Sequence, residues 1–268
     1  MVPADRQRPA FREPAGLVRD RVALVTSIVL LLIAVGAWVD VIRSSLGTPD
    51  MMMTMFMPLT MSDGFAFVAS WGIMMVAMML PSALPMINLY GATQRRVAAT
   101  GSRGAPVALF TLVYLAVWAA SGVPVYLAHT ALMALSPRMF AYGVAGTLLA
   151  AGMFQLSPLK QTCLRACRSP LGFLLGHWRA GLRGSLALGW AHAMYCLGCC
   201  WALMVVLVAA GAMGLIWVLL ITAVVAAEKL LPGGEWMARA TGGALLFLGM
   251  AVAVRPDLVA ALRGAHAM

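Results

Sequence analysis

Apolar residues gather along this chain in about seven runs, near 22–42, 65–90, 106–128, 139–157, 185–209, 214–230 and 238–254, separated by short polar or basic stretches. About 20 apolar residues in a helix match the thickness of a bilayer core. Helices satisfy their own backbone hydrogen bonds there, so the pattern predicts an all-α, polytopic transmembrane helix bundle with about seven spans. No interval between runs is long enough for a soluble domain. The expected organisation is a basic cytoplasmic tail over 1–21, a transmembrane helical domain over 22–254 and a C-terminal tail over 255–268. Within the membrane domain lie an external Met-rich loop, 43–64, and a Cys-containing cytoplasmic segment, 158–184. The first run is too long for a signal-peptide core and no convincing cleavage site follows it, so it reads as a retained helix.

Composition agrees, since 62% of the 268 residues are hydrophobic and only 10% are charged. The net charge of +10 invites a nucleic-acid partner, but its distribution excludes one. Alternate flanks of the runs hold 15 of the 19 Lys and Arg: five in the tail up to Arg21, then Arg95, Arg96 and Arg103, then Lys160, Arg165, Arg168, Arg179 and Arg183, then Lys229 and Arg239. By the positive-inside rule the N-terminus is cytoplasmic and the C-terminus is external. The basic residues are a topology signal, and the expected location is a bacterial inner (plasma) membrane, crossed several times, with the lipid bilayer as a partner.

The fifth run carries the densest chemistry, Trp190-Ala-His192-Ala-Met-Tyr-Cys196-Leu-Gly-Cys199-Cys200-Trp201. With Cys196 at zero on a helical wheel, His192 lies at about −40°, Cys199 at about −60° and Cys200 at about +40°. These four groups share one face, with Met204 beside it at about +80°. Polar or ionisable side chains at membrane depth mark function by default. The competing interpretation is that Cys packs as a small hydrophobe. One helix face cannot surround a metal, and His192 lies about 12 Å along the axis from Cys200. Ligands therefore have to converge from other helices.

Other soft ligands are available. Met74, Met75, Met78 and Met79 fall in the second run, which also contains Pro81 and Pro85 and is expected to kink there. The external loop concentrates Met51, Met52, Met53, Met55, Met57 and Met61 in eleven residues. Thioethers suit Cu(I) and need no deprotonation; they also fill irregular cores. Cys163 and Cys167 are one helical turn apart among basic neighbours, which are expected to lower their thiol pKa values. Glu228 is read either as a surface carboxylate at a helix end, the preferred reading, or as one turned into the bundle. Lys229 is expected to snorkel to the cytoplasmic surface.

Three separated segments carry a family likeness: Trp71…Met74…Ala77-Met78-Met79…Pro81-Ser82…Pro85, then Ser157-Pro-Leu-Lys160-Gln-Thr-Cys163…Cys167-Arg-Ser-Pro170, then Gly198-Cys199-Cys200-Trp201-Ala-Leu-Met204. With the Glu228-Lys229 pair they resemble a bacterial family of predicted metal-binding integral membrane proteins of otherwise unknown function. The likeness runs from about residue 65 to 231. It implies a helical membrane fold and metal binding, without an established activity.

The expected function is metal handling, with Cu(I) as the metal because thiols and thioethers dominate and no acidic pair sits in the span centres. Two or three of Cys196, Cys199 and Cys200 are expected to bind it with Met78 or Met74. His192, Met204, Cys163, Cys167 and the loop residues Met51, Met53 and Met55 would serve along a path. Such a protein carries copper across the membrane or delivers it to a copper chaperone or copper enzyme. A thiol–disulfide oxidoreductase and a non-catalytic assembly subunit are the alternatives.

Overall fold

The structure is a computed structural model that describes residues 21–46, 61–97, 104–179, 181–209 and 215–259. The described residues form ten helices and no strand. They are α1 (Arg21–Leu46), α2 (Met61–Val97), α3 (Ala105–Ala120), α4 (Gly122–Met133) and α5 (Pro137–Leu156), then α6 (Pro158–Arg168), α7 (Pro170–His177), α8 (Gly181–Ala209), α9 (Leu215–Leu230) and α10 (Gly234–Val254).

Local sequence sets several of these boundaries. Helices α5, α6 and α7 each begin at a Ser-Pro pair, Ser136-Pro137, Ser157-Pro158 and Ser169-Pro170. Proline at the first helical position loses nothing, because that amide has no intrahelical partner. At Ser157 the hydroxyl also accepts from the Lys160 amide at 3.2 Å, capping α6. The third run breaks at Ser121 into α3 and α4. Pro124 supplies no amide to the Ala120 carbonyl, which favours a break there. Trp71 of α2 packs into the break, and its indole Nε1 donates to the Trp118 carbonyl at 3.2 Å and to Ser121 Oγ at 3.1 Å. Gly122 is required at that point, since a Cβ would stand 2.8 Å from the Trp71 ring. By contrast, α2 continues through Pro81 and Pro85 as a single element.

Among the described residues, six helical stretches are long and apolar enough to cross a membrane: Leu24–Leu46, Ser62–Gln94, Ala105–Leu132, Pro137–Leu156, Gly181–Val208 and Gly234–Val254. The expected seventh span is the 16-residue helix α9, whose length of about 24 Å falls short of a 30 Å hydrocarbon core. Helices pair as α1 with α2, α2 with α3, α3 with α8, and α5 with α10, while α6 lies against α8. Two apolar clusters result. The larger joins α1, α2, α3, α6, α7, α8, α9 and α10, and the smaller joins α5, α8 and α10. Small residues allow these approaches. A Cβ on Gly189 would stand 2.8 Å from the Phe110 carbonyl of α3, and one on Gly198 would stand 2.9 Å from Cys163 Sγ of α6. The second approach brings the Cys-bearing α6 onto the Cys-bearing face of α8.

Candidate functional site

Four thiols meet where α6 crosses α8. Cys199 Sγ is 3.8 Å from Cys167 Sγ and 3.2 Å from Cys200 Sγ, and the Cys196 thiol lies near all three. Cys196, Cys199 and Cys200 are buried, at 2% exposure or less. The shared helix face expected from the wheel is therefore the face that α6 covers. The Cys199 thiol also donates to the Cys196 carbonyl at 3.1 Å.

Helices α2, α3 and α9 close the other sides. Lys229 Nζ lies 3.1 Å from Cys196 Sγ, 3.4 Å from Ser82 Oγ and 3.7 Å from Met79 Sδ. The Tyr114 hydroxyl is 3.1 Å from Cys196 Sγ and donates to the Met79 carbonyl at 3.4 Å. Lys229 is thus 8% exposed and turned inward, correcting the expectation that it snorkels. A sulfur cluster, with the Tyr114 hydroxyl against it, supplies polar partners that a lipid-facing position would lack.

Glu228 corrects a second expectation. It is 2% exposed and its Oε2 accepts from Lys160 Nζ at 2.6 Å. Its Oε1 accepts from Gln155 Nε2 at 2.8 Å, and Lys160, itself fully buried, also donates to the Cys199 carbonyl. Arg168 Nη1 donates to the Glu228 carbonyl at 2.7 Å and Arg168 Nη2 to the Pro232 carbonyl at 3.2 Å. At the surface, Arg165 pairs with Glu235 at 2.8 Å. The Glu228-Lys229 step therefore sends one side chain to the α5–α6 charge network and the next to the thiols.

The cytoplasmic-segment thiols do not behave alike. Cys167 reaches the cluster, while Cys163 faces Gly198. Neither is activated as the basic neighbours suggest. Burial pushes the Cys163 thiol up, with the Lys160 charge opposing it. Cys167 is held well above the usual thiol range, foremost by its hydrogen bond with Cys196 and then by burial.

Among the thioethers, Met79 brings its sulfur to the site through Lys229. Met74, Met78 and Met204 are buried in the same apolar cluster. His192 is buried between the rings of Phe110, Tyr114 and Phe173, with centroids 5.4–5.8 Å away, and its Nδ1 has no hydrogen-bond partner. The expectations for Met51, Met53 and Met55 lie outside the described residues. Tyr114 and Gln155 join the site without a motif in the sequence that singles them out. The available signal was a hydroxyl and an amide inside apolar spans, where polar groups need partners.

Among the described residues, no group of three or more His, Cys, Asp or Glu side chains stands in an arrangement that could hold a metal ion. Two thiolates on one tetrahedral metal lie about 3.8 Å apart. Cys167 and Cys199 match that separation, but Cys199 and Cys200, at 3.2 Å, are in contact with each other. Lys229 holds Cys196 in turn. The donor set is that of a soft-metal site, with thiols hydrogen-bonded among themselves and to an ammonium.

Comparison with known proteins matches residues 68–252 to the PpoB2 family, described as copper chaperones. No curated protein and no solved structure matches the chain.

Proposed function

This chain belongs to the PpoB2 copper chaperone family, and we propose that it is an integral membrane protein whose copper cargo, as Cu(I), is held by the thiols of Cys167, Cys196, Cys199 and Cys200 between α6 and α8. The observation that carries the proposal is the meeting of four thiols from two helices, with Cys167 and Cys199 separated by 3.8 Å. Six apolar helices of spanning length support the membrane setting.

Thiolate is the form that binds metal. Each thiol that binds Cu(I) gives up its proton, so loading releases protons. Two thiolates and one Cu(I) carry a net charge of −1, which is unfavourable in a dry interior. Lys229, at 3.1 Å from Cys196, supplies the balancing positive charge. Rotation of Cys199 and Cys200 away from each other frees their sulfurs for the metal. Exchange of thiolates one at a time then passes copper to an acceptor, a copper enzyme or another chaperone, without releasing the free ion. His192 and the Met side chains of α2 and α8 belong to the approach.

The interhelical Cys167–Cys199 contact supports a second reading, a thiol–disulfide oxidoreductase joining α6 to α8. One measurement separates the two: the metal content of reduced, detergent-purified protein loaded anaerobically with Cu(I). The expected result is near-stoichiometric copper that a Cys196→Ser/Cys199→Ser/Cys200→Ser variant loses. Cys167→Ser weakens retention and Cys163→Ser leaves it unchanged. Negligible copper in the wild type, with a reversible Cys167–Cys199 disulfide found by mass spectrometry, favours the oxidoreductase.

A further inference from the structure

A second feature lies apart from the thiols. A cleft of about 520 Å³ opens between α1, α2 and α3, within the 300–1,000 Å³ typical of ligand sites. Its innermost end is apolar, lined by Leu30, Ile33, Leu80 and Leu115. Of the polar lining residues, Thr111 lies one turn from Leu115 with its hydroxyl donating to the Val107 carbonyl, while Thr26 and Asn88 belong to the opposite end. There Asn88 Nδ2 donates to Ser27 Oγ at 2.8 Å, fastening α1 to α2. The cleft is open along one side, where Ile33 and Leu112 are 47% and 63% exposed.

Length and charge identify an occupant. From Gly91 to Leu80 on α2, and from Gly104 to Leu115 on α3, the helical rise is about 16 Å. Half of a 30 Å hydrocarbon core is about 15 Å, so the cleft runs the depth of one leaflet. At its polar end, Arg21 opens α1 and Arg95 and Arg96 fall in the last turn of α2. No acidic residue lies between 95 and 104 in the sequence. Basic residues at the cytoplasmic surface favour anionic lipid headgroups.

We propose that the α1–α2–α3 cleft binds one anionic phospholipid, an acyl chain filling the groove and the headgroup at the arginine-rich helix ends. The proposal rests on the membrane setting above and is independent of the copper site. The chain fills apolar volume that water would otherwise have to hydrate. Thr26 and Asn88 stand nearest the depth of the glycerol and ester groups.

The test uses the full-length chain, delipidated in detergent and offered equal amounts of dioleoyl phosphatidylglycerol and dioleoyl phosphatidylcholine. Native mass spectrometry is expected to show one retained phosphatidylglycerol, preferred by about tenfold or more. Ala108→Trp and Ile33→Trp fill the groove from different walls. Each is expected to abolish retention while copper stoichiometry stays at the wild-type value. A phosphatidylglycerol carrying a photoreactive acyl chain, applied to the wild type, gives a readout free of any folding defect. Crosslinks concentrated on α1, α2 and α3 support the site. Labels spread evenly over outer positions such as Leu175 and Phe247 overturn it, as do equal retention of both lipids or retention undiminished in both Trp variants. A chain that is monodisperse without detergent overturns the membrane setting itself, whereas a detergent-dependent chain without lipid preference overturns only this site.

Discussion

Lys229 and Glu228 are neighbours in the chain, yet they serve different partners. The Lys229 ammonium touches a thiol, a hydroxyl and a thioether from two other helices. Its role in the proposed copper site is charge balance, because a bis-thiolate Cu(I) centre is anionic. Lys229→Gln removes the charge without adding a soft ligand for copper. At a separation of about 5 Å and an effective dielectric constant of about 20, the lost attraction is about 3 kcal/mol, or about a hundredfold. Lys229→Gln is therefore expected to weaken Cu(I) binding by about two orders of magnitude in competition with a chromophoric chelator. Unchanged affinity would remove Lys229 from the proposed site. The exposed Arg165–Glu235 pair is a useful contrast, since surface pairs contribute little.

Helix α6 has only eleven residues and depends on its tertiary contacts, because isolated helices of that length are marginal. Beside the buried Cys163 and Leu164, its polar anchors include Lys160, clamped by Glu228 and the Cys199 carbonyl, and Cys167 at the thiol cluster. Together they bind the segment between α5 and α8 to both α8 and α9. Glu228→Gln leaves the Lys160 ammonium buried without its counter-charge. Breaking one side of such a pair costs about 3–5 kcal/mol, whereas replacing both partners by apolar residues is often neutral. Glu228→Gln is expected to lower the thermal unfolding midpoint strongly. Lys160→Met/Glu228→Leu is expected to recover much of the loss. If the double variant is as unstable as the single one, the pair contributes more than mutual neutralisation. The same comparison shows whether α6 must be docked for copper to be retained.

At the scale of the molecule, α9 decides the topology. It is short for a span, but it exposes Ile216, Leu219 and Leu220 along an apolar side, as a lipid-facing helix does. With the basic flanks counted by the positive-inside rule, the N-terminus is expected in the cytoplasm and the C-terminus outside. Reporter fusions at both ends check this directly. Opposite sides fit an odd number of crossings that includes α9, and the same side leaves only the six longer helices as spans. A bundle this apolar is also expected to require detergent for purification.

The sequence by itself determined the helical class, the approximate places of the apolar helices, and the face that gathers Cys196, Cys199 and Cys200. These follow from helical periodicity, run length and the high cost of polar groups in apolar surroundings, all of which act within one segment. It also marked copper-suited chemistry through the softness of its side chains. Which partners complete the site was a tertiary decision. Cys163 and Cys167 look equivalent in the chain, but the close approach at Gly198 sets Cys163 against α8 and carries Cys167 to Cys199. Met79 stands at the site beside Lys229, where the sequence points to Met78 or Met74. Glu228 and Lys229 turned inward because Lys160, Gln155 and the thiols offered partners that no local pattern contains. Contacts such as Lys160–Glu228 join residues 68 apart in the chain, and only packing can specify them.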